Sequence, residues 1–234
     1  MNHHHTLCNK NTRLPRSLLL FDLDGLLVDS EIFHWMAYQQ MVEQLGGRLG
    51  WDYPTYLQVA GSGSHAVRER LAEEFPDLFD RYSWDEMYGI KREQVTRLLD
   101  TNPVPLMPGV ERFLSAVKES SGGLAVVTHS PLLFVEQVRA AHPILSTIDL
   151  WVYREMYTNP KPAPDGYTTA CAIRGVVPEE TVGFEDSWRG IEALSAAGCR
   201  PILVNGQDGQ LRRRCQELSL RAVSSFEELV EDFS

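Results

Sequence analysis

The sequence has no apolar run long enough to cross a bilayer. Its opening residues, MNHHHTLCNKNTRLPR, lack the charged start, apolar stretch and small-residue cleavage site of a signal peptide. Neither membrane insertion nor export is expected, and the chain reads as cytoplasmic. The four cysteines, Cys8, Cys171, Cys199 and Cys215, show no CxxC spacing and read as reduced, mostly buried thiols. Positive charge is scarce: 22 Lys and Arg face 32 Asp and Glu, a formal net charge of −10. Nucleic acid and anionic membranes are therefore poor partners. An anionic substrate would need a local positive field from a metal, backbone N–H groups or individual Lys and Arg side chains. No internal repeat is present, and no low-complexity segment follows the opening arm. Residues 1–17 are polar and aperiodic and are taken as a mobile arm, its three histidines set aside from any site.

What is present suits a folded enzyme-sized core. A chain of 234 residues with 43% apolar content can bury one large domain or a core with an insertion. From Val104 onward, helix and strand alternate. GVERFLSAVKES, LLFVEQVRAA, PDGYTTACAIRG and SWRGIEALSAAG have helical periods. LAVVT, IDLWVY, TVGFE and PILVN are short apolar strands between them. Last comes SSFEELVEDF, where Ser225 and Glu228 form a capping-box pattern. Continuously apolar strands between helices imply a parallel sheet covered on both faces. Between Ile32 and Asn102 no strand pattern occurs; IFHWMAYQQMVEQLGG, HAVRERLAEEF and WDEMYGIKREQVTRLLD are all helical in period. The expected organisation is an α/β core of residues 18–31 and 104–234, interrupted by a helical domain of residues 32–103.

The stretch LLLFDLDGLLVDSE, Leu18 to Glu31, ends an apolar strand in two carboxylates, Asp22 and Asp24. Desolvation and mutual repulsion make such a pair costly unless it gathers a cation. In open parallel sheets the ligand crevice lies at the carboxyl ends of the strands. Thr128 stands at the end of LAVV, Lys161 in KPAPDGY after the third strand, and Glu185 and Asp186 after TVGF. Carboxylate oxygens around an open position suit Mg²⁺.

These four motifs, DLDGLLVDSE, the Thr128 strand end, KPAPDGY and GFEDSWRG, resemble in order those of the haloacid dehalogenase-like (HAD) superfamily. The resemblance implies a Rossmann-like parallel-sheet core with an inserted all-helical cap of the C1 type. It implies phosphoryl transfer with Asp22 as nucleophile, through an aspartyl-phosphate. Asp24 would be general acid and base and would offer its carbonyl to the metal. Thr128 and Lys161 would stabilise the transferring phosphoryl group, and Asp186 with Glu185 would complete the Mg²⁺ site. Gly25, His34, Gly61, His129 and Ser130 are the candidate substrate contacts. His34 matches a histidine found on the first cap helix of related mutases and phosphatases.

Within that superfamily the cap distinguishes acceptors. Beta-phosphoglucomutases grip a second phosphate with a Lys just before, and an Arg shortly after, a cap glycine. Here VAGSGSHAVRER has Ala60 and Ser64 at those places around Gly61. Losing a guanidinium clamp is not conservative, so no strong second-phosphate site is expected from the cap. Lys91, the cap's one lysine, lies far from Gly61 in sequence and does not fit a Schiff-base phosphonatase. Asp24 argues against a true dehalogenase. The expectation is a monomeric, Mg²⁺-dependent phosphatase of a small phosphorylated metabolite. A phosphomutase of the beta-phosphoglucomutase type is the alternative. A non-catalytic binding protein of the same fold would not require Asp24.

Overall fold

The computed structural model describes residues 17–60, 64–119 and 121–233. Most of the proposed arm, residues 1–16 with Cys8, and the candidate contact Gly61 lie outside the described residues. Ser17, assigned to the arm, is buried, and its carbonyl accepts a hydrogen bond from the Gly122 N–H at 2.8 Å. The chain divides into two compact units: Met1–Leu27 with Leu106–Ser234, and Val28–Pro105.

The second unit holds five helices among the described residues: α1 (Glu31–Gln44), α2 (Tyr53–Ala60), α3 (Ser64–Glu74), α4 (Pro76–Arg81) and α5 (Trp84–Thr101). Three follow the expected periods; α2 and α4 are additions. The Asp52 carboxylate accepts the Thr55 N–H at 2.9 Å and closes the first turn of α2, while proline opens α4 at a position that needs no donor. Helix α5 begins with a reciprocal capping box between Ser83 and Glu86. Tyr38, Met41, Val42, Leu71 and Met87 form the centre of this unit's core. No helix among the described residues is long and apolar enough to cross a membrane.

The first unit is a six-stranded, wholly parallel sheet: β1 (Leu19–Phe21), β2 (Leu124–Val127), β3 (Leu150–Val152), β4 (Val182–Glu185), β5 (Arg200–Val204) and β6 (Arg221–Val223), in the order β3-β2-β1-β4-β5-β6. Its helices are α6 (Val110–Val117), α7 (Leu132–Ala141), α8 (Asp165–Arg174), α9 (Trp188–Ala196), α10 (Gly209–Glu217) and the short α11 (Val230–Phe233). Successive strand side chains alternate faces, and β1 uses both. Phe21 stacks on Phe184 at 5.0 Å between ring centroids and joins Phe113 and Phe226. Leu18 and Leu20 join the opposite layer, with Tyr167, Ala170 and Leu194 from α8 and α9. Burial on two faces is why these strands read as unbroken apolar runs.

In this unit α10 and β6 also escaped the sequence reading. Helix α10 carries three arginines and few apolar residues, so its period is faint; Asp208 starts it by accepting the N–H groups of Gln210 and Leu211, each at 2.9 Å. Strand β6 is three residues at the sheet edge. The C-terminal segment also differs from expectation. Phe226–Leu229 is a 3-10 turn leading into α11, Ser225 makes no side-chain cap, and Glu228 instead accepts the Ser224 N–H at 2.8 Å.

Candidate active site

Asp22 is the first residue beyond β1. Its N–H donates to the Phe184 carbonyl at 3.1 Å, so the ladder runs one rung past the strand and sets Asp22 beside Glu185. The Thr128 N–H does the same with Val152 O at 2.9 Å. The carboxyl ends of β1, β2 and β4 thus meet at one edge, and Lys161 reaches in from the segment before α8. Its ammonium donates to the Val127 carbonyl at 3.0 Å, pairs with Glu185 Oε1 at 2.7 Å, and is in close contact with Asp22 Oδ1. Burial alone pulls the lysine down, but the charges of Asp22 and Glu185 outweigh it and hold its pKa well above the ordinary range.

The two aspartates have different surroundings. The Asp24 carboxylate accepts the hydroxyls of Ser130 and Thr128 on one oxygen, at 2.7 and 3.1 Å. Asp22 instead shares a cluster with Glu185 and Asp186, in which one oxygen of each lies within 4.8 Å of the others. Burial, then the charges of Glu185 and Asp24, raise the Asp22 carboxyl to about 8 against the pull of Lys161. Asp186 is pushed well up by burial and by its two acidic neighbours. One ammonium does not balance three clustered acids. That surplus of buried negative charge, carried on oxygen donors alone, fits a hard divalent cation.

Two glycines make the cluster possible. Gly25 has φ 81°, and a Cβ there would overlap Asp186 Oδ2; a Cβ on Gly190 would fall on the Glu185 carboxylate. Gly190→Ala is accordingly expected to displace Glu185. The expected result is turnover down roughly 10²-fold and stability down by about 1–3 kcal/mol, checked by steady-state kinetics and thermal melting. Unchanged kinetics would show that Glu185 can move without consequence.

Of the residues singled out from sequence, the core unit brings together Asp22, Asp24, Gly25, Thr128, Ser130, Lys161, Glu185 and Asp186. His129 follows Thr128, and its Nδ1 is 3.3 Å from the Tyr157 hydroxyl. His34 belongs to the helical unit. There its Nδ1 lies 2.6 Å from the buried Lys91 ammonium, and burial with that charge lowers its pKa to about 3. The imidazole is therefore neutral and carries its proton on Nε2.

The sequence reading missed two tyrosines. The fully buried Tyr167 hydroxyl donates to Glu185 Oε1, the oxygen that also pairs with Lys161. Its own proton is held far above the ordinary phenol range by burial and by Glu185. Tyr157 donates to the Thr128 carbonyl at 2.9 Å. Tyr167 stands inside KPAPDGY and from sequence reads only as a helix residue; its signal is a lone polar atom on an otherwise apolar helical face.

A family model described as haloacid dehalogenase-like hydrolase matches residues 19–204. The chain belongs to the haloacid dehalogenase-like hydrolase family. Among curated relatives of this hydrolase, protein CbbY of Cereibacter sphaeroides is 30% identical over 193 residues, covering 80% of this chain and 84% of that one. A phosphorylated carbohydrates phosphatase of Thermotoga maritima is 29% identical over 188 residues, covering 79% and 82%. Among solved structures, a CbbY variant from Rhodobacter sphaeroides in complex with xylulose-(1,5)bisphosphate shares 27% identity at a TM-score of 0.65, covering 91% of this hydrolase and 96% of that chain.

Proposed function

We propose that this hydrolase is a Mg²⁺-dependent phosphatase of small phosphorylated metabolites, working through an aspartyl-phosphate on Asp22. The observation that carries the reading is the split between two aspartates one residue apart. Asp22 faces the lysine and the acid cluster, and Asp24 faces two hydroxyl donors. That division suits a nucleophile and an acid–base group. Asp22 attacks phosphorus as the bond to the leaving alcohol breaks, and Asp24 gives its proton to the departing oxygen. Asp24 then takes a proton from water, which attacks the aspartyl-phosphate and frees inorganic phosphate and Asp22. Lys161, fixed by Val127 O and Glu185, keeps positive charge beside the nucleophile, where a charge-rich transition state gains most. Mg²⁺ held by Asp22, Asp186, Glu185 and the Asp24 carbonyl would cancel acid repulsion and polarise the phosphoryl oxygens.

A phosphorylated sugar is the favoured substrate, supported by the relatives named for phosphorylated carbohydrates and complexed with a sugar bisphosphate. The test is phosphate release from an aryl phosphate, with and without Mg²⁺, together with mass-spectrometric capture of phosphate on Asp22. No release and no adduct would remove the reading. Glucose 1-phosphate is expected to lose phosphate rather than isomerise; faster formation of glucose 6-phosphate in a coupled assay would favour the mutase.

Chelation gives a second measurement. EDTA should abolish turnover and Mg²⁺ restore it. The raised carboxyl of Asp22 also couples the metal to pH. Because its folded pKa of about 8 exceeds the ordinary 3.8, its stability contribution is complete below the unfolded value and lost as pH rises through the folded one. In the metal-free chain this loss falls between about pH 4 and pH 8. Mg²⁺ should therefore raise the melting temperature more at pH 8 than at pH 5. Equal increments would dissociate Asp22 from the metal.

A further inference from the structure

The two carboxylate oxygens of Glu185 have unequal surroundings. Oε1 accepts the Tyr167 hydroxyl and also meets the Lys161 ammonium, the latter at 2.7 Å. Oε2 meets the Ser187 hydroxyl at 3.5 Å, the outer limit of a hydrogen bond. Two strong donors, one of them charged, thus engage one oxygen and leave the other open.

Both donors are themselves fixed. Tyr167 is the third residue of α8, whose first residue, Asp165, accepts the N–H and the side-chain amide of Asn159 at 3.1 and 3.0 Å. Between them Gly166 packs so closely on β2 that a Cβ there would lie 2.7 Å from Val127 Cγ1. The phenol is thereby wedged between helix and sheet, its ring centroid 5.0 Å from the Lys161 ammonium. Lys161 is tied in turn to the Val127 carbonyl at 3.0 Å. The Glu185 carboxylate also lies against Gly190, where a Cβ would overlap both of its oxygens. It cannot swing without breaking one of these contacts.

This asymmetry bears on which cation the acids accept. Mg²⁺ demands near-ideal octahedral geometry, whereas Ca²⁺ takes more oxygens at longer distances and readily accepts both oxygens of one carboxylate. A Glu185 whose Oε1 is engaged by a phenol and an ammonium has one oxygen to give. We propose that Tyr167 is a positioning residue that makes the acid cluster selective for Mg²⁺ over Ca²⁺, by holding Glu185 to a single available oxygen. The inference rests on the Mg²⁺ reading above and deepens it, since it names the side chain that chooses the ion. Selectivity of this kind comes from a hydroxyl that need not touch the cation.

The experiment titrates the metal-free chain with MgCl₂ and with CaCl₂ by calorimetry, in the parent and in Tyr167→Phe. Phenylalanine keeps the ring and its place beside Lys161 and loses only the donor. Affinity for Ca²⁺ relative to Mg²⁺ should rise about tenfold in Tyr167→Phe, the size of one hydrogen bond to a charged group. In a Glu185→Gln background the same substitution should leave the ratio unchanged, because an amide has only one oxygen to offer. Melting curves in EDTA check that each variant is folded. A general loosening of the site would weaken both ions together and leave their ratio where it was. An unchanged ratio in Tyr167→Phe, or an equal gain in the Glu185→Gln background, overturns the inference while the Mg²⁺ reading stands. A parent chain that binds neither ion overturns both.

Discussion

Asp22→Asn is expected to lower turnover by on the order of 10⁴-fold or more while the chain stays folded. The amide is nearly the same shape, but it cannot form an acyl-phosphate with phosphorus. Its effect on stability follows from the cluster. The substitution removes one of three crowded acids, and Lys161 keeps Glu185 at 2.7 Å and the Val127 carbonyl at 3.0 Å. The metal-free variant should therefore melt no lower than the parent. Parent-like turnover, with deamidation excluded by mass spectrometry, would return Asp22 to the status of a turn residue.

Lys161→Met is expected to be damaging in a different way. The ammonium is the one cation in contact with Asp22 and Glu185 among the described residues, and both carboxylates are buried. Removing one partner of a buried pair leaves the other charge uncompensated, a loss of about 3–5 kcal/mol. In a chain of this size that corresponds to a melting temperature lower by about 10 °C. Mg²⁺ should recover part of the loss, because it answers the same surplus of negative charge. Turnover should fall by roughly 10²–10³-fold, as when one transition-state stabilising donor is deleted. A variant that melts with the parent in EDTA would show that the acids relieve their repulsion by protonation alone.

The parallel sheet was legible because burial on two faces writes continuous apolar runs such as LAVV and TVGF, and the candidate residues Asp22, Thr128, Glu185 and Asp186 because they stand at or just after the ends of those runs. Legibility failed where the physics leaves less trace. Helix α10 folds on a cap at Asp208 and on Arg214 stacked 3.5 Å from the Trp188 ring centroid, neither of which has an apolar period. Strand β6, beginning at Arg221, needs a neighbour before it is a strand at all. Tyr167 was hidden because a phenol on a buried helix face reads as packing until its hydroxyl partner is located.

The position of β1 has a consequence for biosynthesis. Leu19 pairs with Leu124 on one side and Val182 on the other, so this early strand is completed only when β4 docks. The whole helical unit and α6 are synthesised before β2 offers Leu19–Phe21 a first ladder partner, and β3, α7 and α8 follow before β4 supplies the second. Pairing across such sequence distances is slow, and an apolar strand that waits for it is exposed to association with other chains. The acids share that schedule. Asp22 meets Glu185 and Asp186 only when β4 docks, so their repulsion opposes the joining of β4 to β1 rather than any earlier step. A divalent cation present during synthesis would act on that step, speeding the joining of β4 as well as stabilising its product.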